Sequence, residues 1–392
     1  MGRHLRAGGF WRGRARDAVS IPERPDGNVT TGILAATAAM TTCCGTGGMT
    51  GRGTGQGTAL RGDDTKGCIL CGGMKHELVS ERDRHGGLLC TRLCAGCGLI
   101  RNDPVPTEPE LDAFYASAYR ESYKGASVPR RRQVWRNFDR TKRHMLTYRD
   151  VYGQGGRWLD LGSGSGEFLY LARAMGAEVE GVEPHEGYCL YSRDTLGLPV
   201  RRATLDSSGY DPGSFDLIRL SHVLEHMRDP LRTLIQLRAW LRPGGVLYVE
   251  VPDIAEEARN RLRGRLFHYG HINNFDPVTL RALAGAAGLV ELGRTKQRAA
   301  QTTGLFLTAG ATLVPDAAAL ARNAVTMRAI MADHAKALLP RPPKGTVIGR
   351  FVGRVHERLR EAVTASRFRC HRAIAEDAAQ SLQASLNAPL AA

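Results

Sequence analysis

From residue 156 onward, short apolar runs alternate with longer stretches in which apolar residues recur every three to four positions. The runs predict strands near 157–161, 178–183, 215–221, 245–251, 289–297 and 303–309, and the helical spacing predicts helices near 165–175, 186–195, 229–241 and 276–287. Strands alternating with helices of this length predict an α/β protein with a doubly wound, mostly parallel sheet covered on both faces. Residues 105–150 read as helical and connecting, with aromatics at Phe114, Tyr115, Tyr119, Tyr123, Trp135 and Phe138. Beyond 310 the chain turns Ala- and Arg-rich with helical period. There Val352, Val355, Leu359 and Val363 form an apolar stripe of the kind that packs on another helix. Pro340-Arg341-Pro342-Pro343 divides this tail in two. Residues 1–65 show no sustained period, and segments such as Thr41-Thr42-Cys43-Cys44-Gly45 cannot bury enough apolar surface to offset ordering entropy, so a disordered leader is expected there.

Composition changes this picture little: 42% hydrophobic and 24% charged residues suit an ordinary globular protein. No apolar run approaches the ~20 residues needed to cross a bilayer, and no secretory signal is read, so the expectation is a cytoplasmic protein without a membrane partner. The net charge of +15 raises nucleic acid as a partner, but its location weakens that reading. Residues 1–60 hold seven Arg against three acids, residues 130–149 eight basic residues against one acid, and residues 341–392 nine against four. The remainder is nearly neutral, so the basicity belongs to the flanks of the predicted sheet domain.

Cys68-Ile69-Leu70-Cys71-Gly72 and Cys94-Ala95-Gly96-Cys97-Gly98 are two C-x-x-C-G knuckles separated by 22 residues. Each lets two thiolates point at one ion, and together they supply the closed Cys₄ set of a structural zinc site. Disulfides are disfavoured in a cytoplasmic protein, and a redox pair is the other alternative. Cys90 is the spare and reads as a core thiol.

Arg157 to Phe168 reads as a buried strand, then a glycine turn (Gly162, Gly164, Gly166), then a helix start, so a ligand can approach bare backbone and a helix N-terminus. Against the G-x-G-x-x-G of dinucleotide sites, the third glycine comes one place early and Glu167 occupies its position. Asp160 stands two residues before the first glycine, where an acid can help hold the amino group of S-adenosylmethionine (SAM). Glu183 ends the next strand 21 residues after Gly162, where a carboxylate can accept both ribose hydroxyls.

Leu159 to Phe168 resembles motif I of the class I SAM-dependent methyltransferases, and Glu183 resembles their ribose acid. His222-Val223-Leu224-Glu225-His226-Met227-Arg228-Asp229-Pro230 is similar to the fourth-strand block of the small-molecule group, and Leu241 to Leu247 to the turn into the fifth strand. The resemblance implies a Rossmann-like sheet of seven strands and places Leu205 and Asp206 at the adenine. The cysteine module, with Cys97 to Pro104 and the aromatics after it, resembles that of bacterial methyltransferases acting on nucleotide-linked sugars and polysaccharide precursors. The organisation this implies is a leader over 1–65, a zinc ribbon over 66–104, a helical connector over 105–150, a SAM-binding domain over 151–312 and a helical extension over 313–392.

Methyl transfer from a sulfonium needs positioning and a base for the acceptor's proton. His222, Glu225 and His226 follow the fourth strand; His268 and His271 follow the fifth. His271 matches the base of the sugar C-methyltransferases by its spacing to Phe275, although Gly270 stands where those enzymes carry a glutamate. The catalytic candidates are therefore His271, His226 and His222. The expected acceptor is a hydroxyl or activated carbon of a small molecule, sugar-linked by resemblance. An RNA acceptor held by the ribbon and basic flanks is the weaker alternative, since Leu220-Ser221-His222 replaces the proline-rich turn of adenine amino-group methylation. A SAM-binding assembly protein without activity is the third.

Overall fold

The computed structural model describes residues 67–111, 128–153, 155–205, 207–295, 301–336 and 347–388. The expected leader, Cys43, Cys44, Phe114, Tyr115, Tyr119, Tyr123, Asp206 and the Pro340–Pro343 break lie outside them. Three antiparallel strands come first: β1 (His76–Arg82), β2 (Leu88–Cys94) and β3 (Ile100–Asn102). Helix α1 (Arg131–Thr147) follows and buries Val134, Phe138 and Met145. The second sheet then begins with β4 (Arg157–Leu161), α2 (Glu167–Ala174), β5 (Glu178–Val182), β6 (Val200–Arg201), β7 (Phe215–Ser221), α3 (Pro230–Trp240) and β8 (Leu241–Pro252). It is completed through α4 (Ile254–Asn260), β9 (Asn273–Asn274), α5 (Pro277–Ala286), β10 (Leu289–Thr295) and β11 (Thr302–Ala309). Helices α6 (Ala317–Lys336), α7 (Val347–Ser366) and α8 (His371–Asn387) end the described chain.

Among the described residues the larger sheet has seven strands in the order β10-β11-β8-β7-β4-β5-β6, of which β11 alone runs against the rest: it pairs antiparallel with both β8 and β10, while β8 to β6 pair in parallel. This is the doubly wound, mostly parallel architecture that the periodicity predicts. Alternate residues of each central strand serve opposite layers, which is why those strands read as unbroken apolar runs. Leu159, Ile218, Leu220 and Leu247 pack with Leu234, Leu237 and Leu280 on one face. Trp158, Leu217, Tyr248 and Phe306 pack with Phe138, Phe168, Ile374 and Leu382 on the other.

Local chemistry fixes the helix starts. Asp229 accepts from the Arg232 N–H ahead of Pro230, and Asp276 forms a reciprocal capping box with Thr279 ahead of Pro277. The turn Pro243-Gly244-Gly245 is absorbed into β8 by a register shift between Phe215 and Leu217, so that strand begins earlier than its apolar run.

Two features depart from the linear reading. The cysteine module and the sheet domain share one core, in which Cys68, Cys94, Cys97 and Leu99 pack with the layer around Leu280 and Leu320. And β9, far along the chain, adds to the small sheet as a fourth strand in the order β1-β2-β3-β9. In α7, Glu361 and Ala365 are buried while Val355, Leu359 and Val363 are exposed, so the expected stripe faces outward from the described residues. Among the described residues, no helix is long and apolar enough to cross a membrane.

Candidate active site and cysteine centre

The two knuckles converge. Cys68 Sγ lies 3.5 Å from Cys97 Sγ, and Cys71 Sγ lies 3.5 Å from Cys94 Sγ. Tetrahedral zinc with bonds of about 2.3 Å sets its sulfurs roughly 3.8 Å apart, so the four thiols fit that ion. The Gly98 N–H donates to the Cys94 carbonyl at 2.9 Å, closing the second knuckle. Cys94, hydrogen-bonded by Cys68 and Cys97, is held far below the ordinary thiol range. Cys90 lies on β2 and does not join the set of four.

At the carboxyl end of β4 the glycine turn has φ values of 69°, 56° and 82° at Gly162, Gly164 and Gly166. A Cβ at Gly162 would meet Val223 Cγ2 at 2.5 Å, and one at Gly166 would meet Leu198 Cδ1 at 2.6 Å. A Cβ at Gly164 would meet nothing within 4 Å, so this backbone faces open space. The Glu183 carboxylate reaches across from the end of β5, accepting the Gly164 N–H at 2.7 Å and the His185 N–H at 2.8 Å. Sequence-predicted Glu183 and the glycine turn are thus one unit. Leu205 is buried in the core.

Asp160 has a second engagement that sequence did not signal. It is fully buried and accepts from Arg219 Nη1 at 2.8 and 3.1 Å, while the guanidinium stacks on Phe168 at 4.8 Å. Burial raises the Asp160 carboxyl while Arg219 opposes it, and the charge of Asp160 raises the Arg219 guanidinium against its own burial. Arg219 was missed because a charge inside an apolar strand looks solvent-facing until its neighbour strand is known. Glu167 was seen only as a departure from the dinucleotide pattern. It accepts from Ser165 Oγ at 2.6 Å and from Asn137 Nδ2 at 3.1 Å, tying α1 to the turn.

Beyond the end of β7 lies a cluster of histidines. His222 adopts φ 57°, a conformation that non-glycine residues rarely hold without a reason in the surroundings. Its Nδ1 is 3.5 Å from Glu225 Oε1, and His226 Nε2 is 3.8 Å from the same oxygen. The His226 Nδ1–H donates to the Gly270 carbonyl at 2.6 Å, and the Gly270 N–H donates to His268 Nδ1 at 3.2 Å. The His271 ring stands 4.9 Å from that of His226 and 5.1 Å from that of His268. Burial, then the neighbouring histidines and Arg84, holds His271 well below the usual imidazole range, and burial likewise lowers His268 to about 3. Burial works against a charged His222 as well, but hydrogen bonding and charge from Glu225, with Glu250, raise it. Glu250, also buried, is lowered to about 2 by the charge of His222, by Thr302 Oγ1 donating at 2.8 Å and by Arg219. All three sequence-chosen histidines therefore meet in one place, with Glu225 between His222 and His226.

The small sheet holds this place together. Ile100 and Arg101 of β3 pair with Asn274 and Asn273 of β9, directly after His271. Asn102 donates through its N–H to the Ile272 carbonyl at 3.0 Å and through Nδ2 to the Tyr269 carbonyl at 3.0 Å. Arg101 Nη2 donates to the Arg228 carbonyl at 2.9 Å.

Residues 131–292 match the family model described as a methyltransferase domain, so the chain carries such a domain on its Rossmann-like sheet. Over 98 residues it is 36% identical to a tRNA U34 carboxymethyltransferase of Pseudoalteromonas translucida, covering 24% of this chain and 30% of that protein. Over 101 residues it is 33% identical to a ubiquinone biosynthesis O-methyltransferase of Rhizobium rhizogenes, covering 24% of this chain and 41% of that one. The chain thus spans less than half the length of these curated relatives. The solved PH0226 protein of Pyrococcus horikoshii is 14% identical with a TM-score of 0.39, covering 50% of this chain and 98% of that one. A solved methyltransferase of Mesorhizobium loti is 21% identical with a TM-score of 0.35, covering 43% and 97%. Likenesses at such scores carry no argument of their own.

Proposed function

We propose that this protein transfers the methyl group of SAM to a hydroxyl or activated carbon of a small, sugar-linked metabolite. The observation that carries the reading is the bare Gly164 backbone, open to ligand and bridged to Glu183 at the carboxyl ends of β4 and β5. When bound there, SAM would supply a methyl sulfonium, an electrophile that needs no further activation. Glu183 would hold the ribose hydroxyls, and Asp160, shared with Arg219, would set the field at the amino group. Leu205 and Asp206 would border the adenine. The acceptor would lie over His222, His226 and His271, one of which would take the proton it loses as it accepts the methyl group. His222, whose side chain is more exposed than that of His226, is backed by Glu225. Cys68, Cys71, Cys94 and Cys97 would hold a structural zinc.

Calorimetry with SAM tests the cradle. Glu183→Ala removes charge-assisted hydrogen bonds worth roughly 1.5–3 kcal/mol, so affinity should fall about 10- to 150-fold. Unchanged affinity, or tighter binding of NAD than of SAM, overturns the reading. Labelled SAM offered with nucleotide sugars, phenolic quinone precursors and tRNA identifies the acceptor, and transfer to tRNA alone would replace the sugar assignment.

A further inference from the structure

We propose that α7 docks this protein on an anionic membrane surface, which takes up the apolar stripe of Val355, Leu359 and Val363 while Arg358 and Arg360 pair with lipid phosphates. The helix would lie in the headgroup layer and would not cross the bilayer.

Two faces of α7 have different surroundings. Glu361 and Ala365 are buried where the helix packs on α1, and Glu361 Oε2 lies 3.9 Å from Arg132 Nε. Val355, Leu359 and Val363 are turned away from that contact, at 40%, 60% and 56% exposure. Single exposed apolar residues are ordinary on a protein surface. Three at a spacing of four form one continuous ridge along the helix, which is the form that a partner covers. α1 is also the helix whose Asn137 holds Glu167 beside the glycine turn, so α7 lies one helix away from that turn.

Charge decides what covers the ridge. At about 100° per residue, Arg358 falls roughly 60° before Val355 and Arg360 roughly 60° past Val363, so a guanidinium stands on each flank. Both are exposed, and neither pairs with an acid among the described residues. Glu357 and Glu361 fall roughly 160° from Leu359, on the far side of the helix. Arg367 and Arg369, exposed just past the helix end, have the same sign as the flanks. A second copy of this chain is a poor cover, because two such faces would set arginine against arginine with no carboxylate between them. The segment 1–60, with seven Arg against three acids, is repelled for the same reason. A nucleic-acid backbone would satisfy the arginines and leave the ridge in water. An anionic bilayer meets both needs at once, with phosphates at headgroup level and acyl chains about 5–10 Å below for the apolar side chains. The arginine stems can lie along the apolar layer while their heads reach the phosphates.

Sedimentation of the full-length chain with lipid vesicles tests the surface. Phosphatidylcholine vesicles with about 40% phosphatidylglycerol should bind it at least ~10-fold more tightly than phosphatidylcholine alone. Leu359→Glu should weaken that binding at least ~10-fold, as loss of a buried leucine does. Arg358→Glu combined with Arg360→Glu should weaken it at least ~20-fold, about fivefold for each lost cation. Circular dichroism and the unfolding midpoint should stay unchanged in these variants, so that a lost vesicle signal reports the surface and not the fold. Equal binding to both kinds of vesicle, or to neither, overturns the proposal. So does binding that survives Leu359→Glu, because basic segments alone would then hold the vesicle as they would any polyanion. A dimer that Leu359→Glu disperses, in a chain that ignores vesicles, gives the stripe to a second copy and likewise overturns it.

Discussion

Asp160 and Arg219 show how one side chain can hold the fold and border the cofactor at once. Removing one partner of a buried ion pair strands the other charge in a medium that solvates it poorly, which costs about 3–5 kcal/mol. Asp160→Ala is therefore expected to lower stability by that amount in urea unfolding, with Arg219 left against Phe168. A loss under about 1 kcal/mol, together with a large fall in SAM affinity, would instead make Asp160 chiefly a cofactor ligand. The acid before the glycines was legible in the sequence from its position. Its partner was not, because Arg219 lies 59 residues away on a strand whose register only the sheet defines.

Among the elements, β9 is the informative one. Two asparagines carry no strand signal by themselves, and they form a strand because β3 offers an edge to pair with. The cysteine centre is thereby connected to the acceptor loop through β2, β3 and Asn102. Cys94→Ser is expected to raise hydrogen exchange across residues 268–274 while leaving SAM affinity within a few-fold of the starting value. Equal loss of protection at Gly162–Gly166 would show general unfolding instead. Helix α4 was also overlooked, although Asp253 caps it by accepting from the Ala255 and Glu256 N–H groups. It is shorter than the helices that periodicity reveals, so its cap was the only signal available.

Across the whole molecule, the terminal helices close layers that the sheet leaves open. Ile374 and Leu382 of α8 are 1% and 0% exposed and pack in the core that also holds Phe138 of α1 and Phe168 of α2. Ile374→Ala or Leu382→Ala should each cost about 2–5 kcal/mol, as cavities in well-packed cores do. An effect under about 0.5 kcal/mol in thermal or urea unfolding would make α8 an appendage. On the other side, α6 packs Leu320 in the core shared with the cysteine module, and Asn323 Nδ2 donates to both the Cys97 carbonyl and Asp276 at 3.0 Å. The basic flanks noted in the sequence include α1, whose apolar side lies in the core while its arginines line the outside.

The sequence by itself determined the features that rest on local chemistry or short spacing. These are the alternation that makes a parallel sheet, the two knuckles, and the glycine turn with Glu183 one strand later. Each depends on backbone preferences or on residues that any strand–turn–helix unit brings together. Tertiary structure decided what depends on register and on the meeting of distant segments. It set Arg219 against Asp160, joined the ribbon to the acceptor loop through β9, and turned the α7 stripe outward. It also gathered His222, Glu225, His226 and His271 around one point. The physical reason is the same throughout: a charge, a two-residue strand or an imidazole has no fixed meaning until burial and a partner give it one.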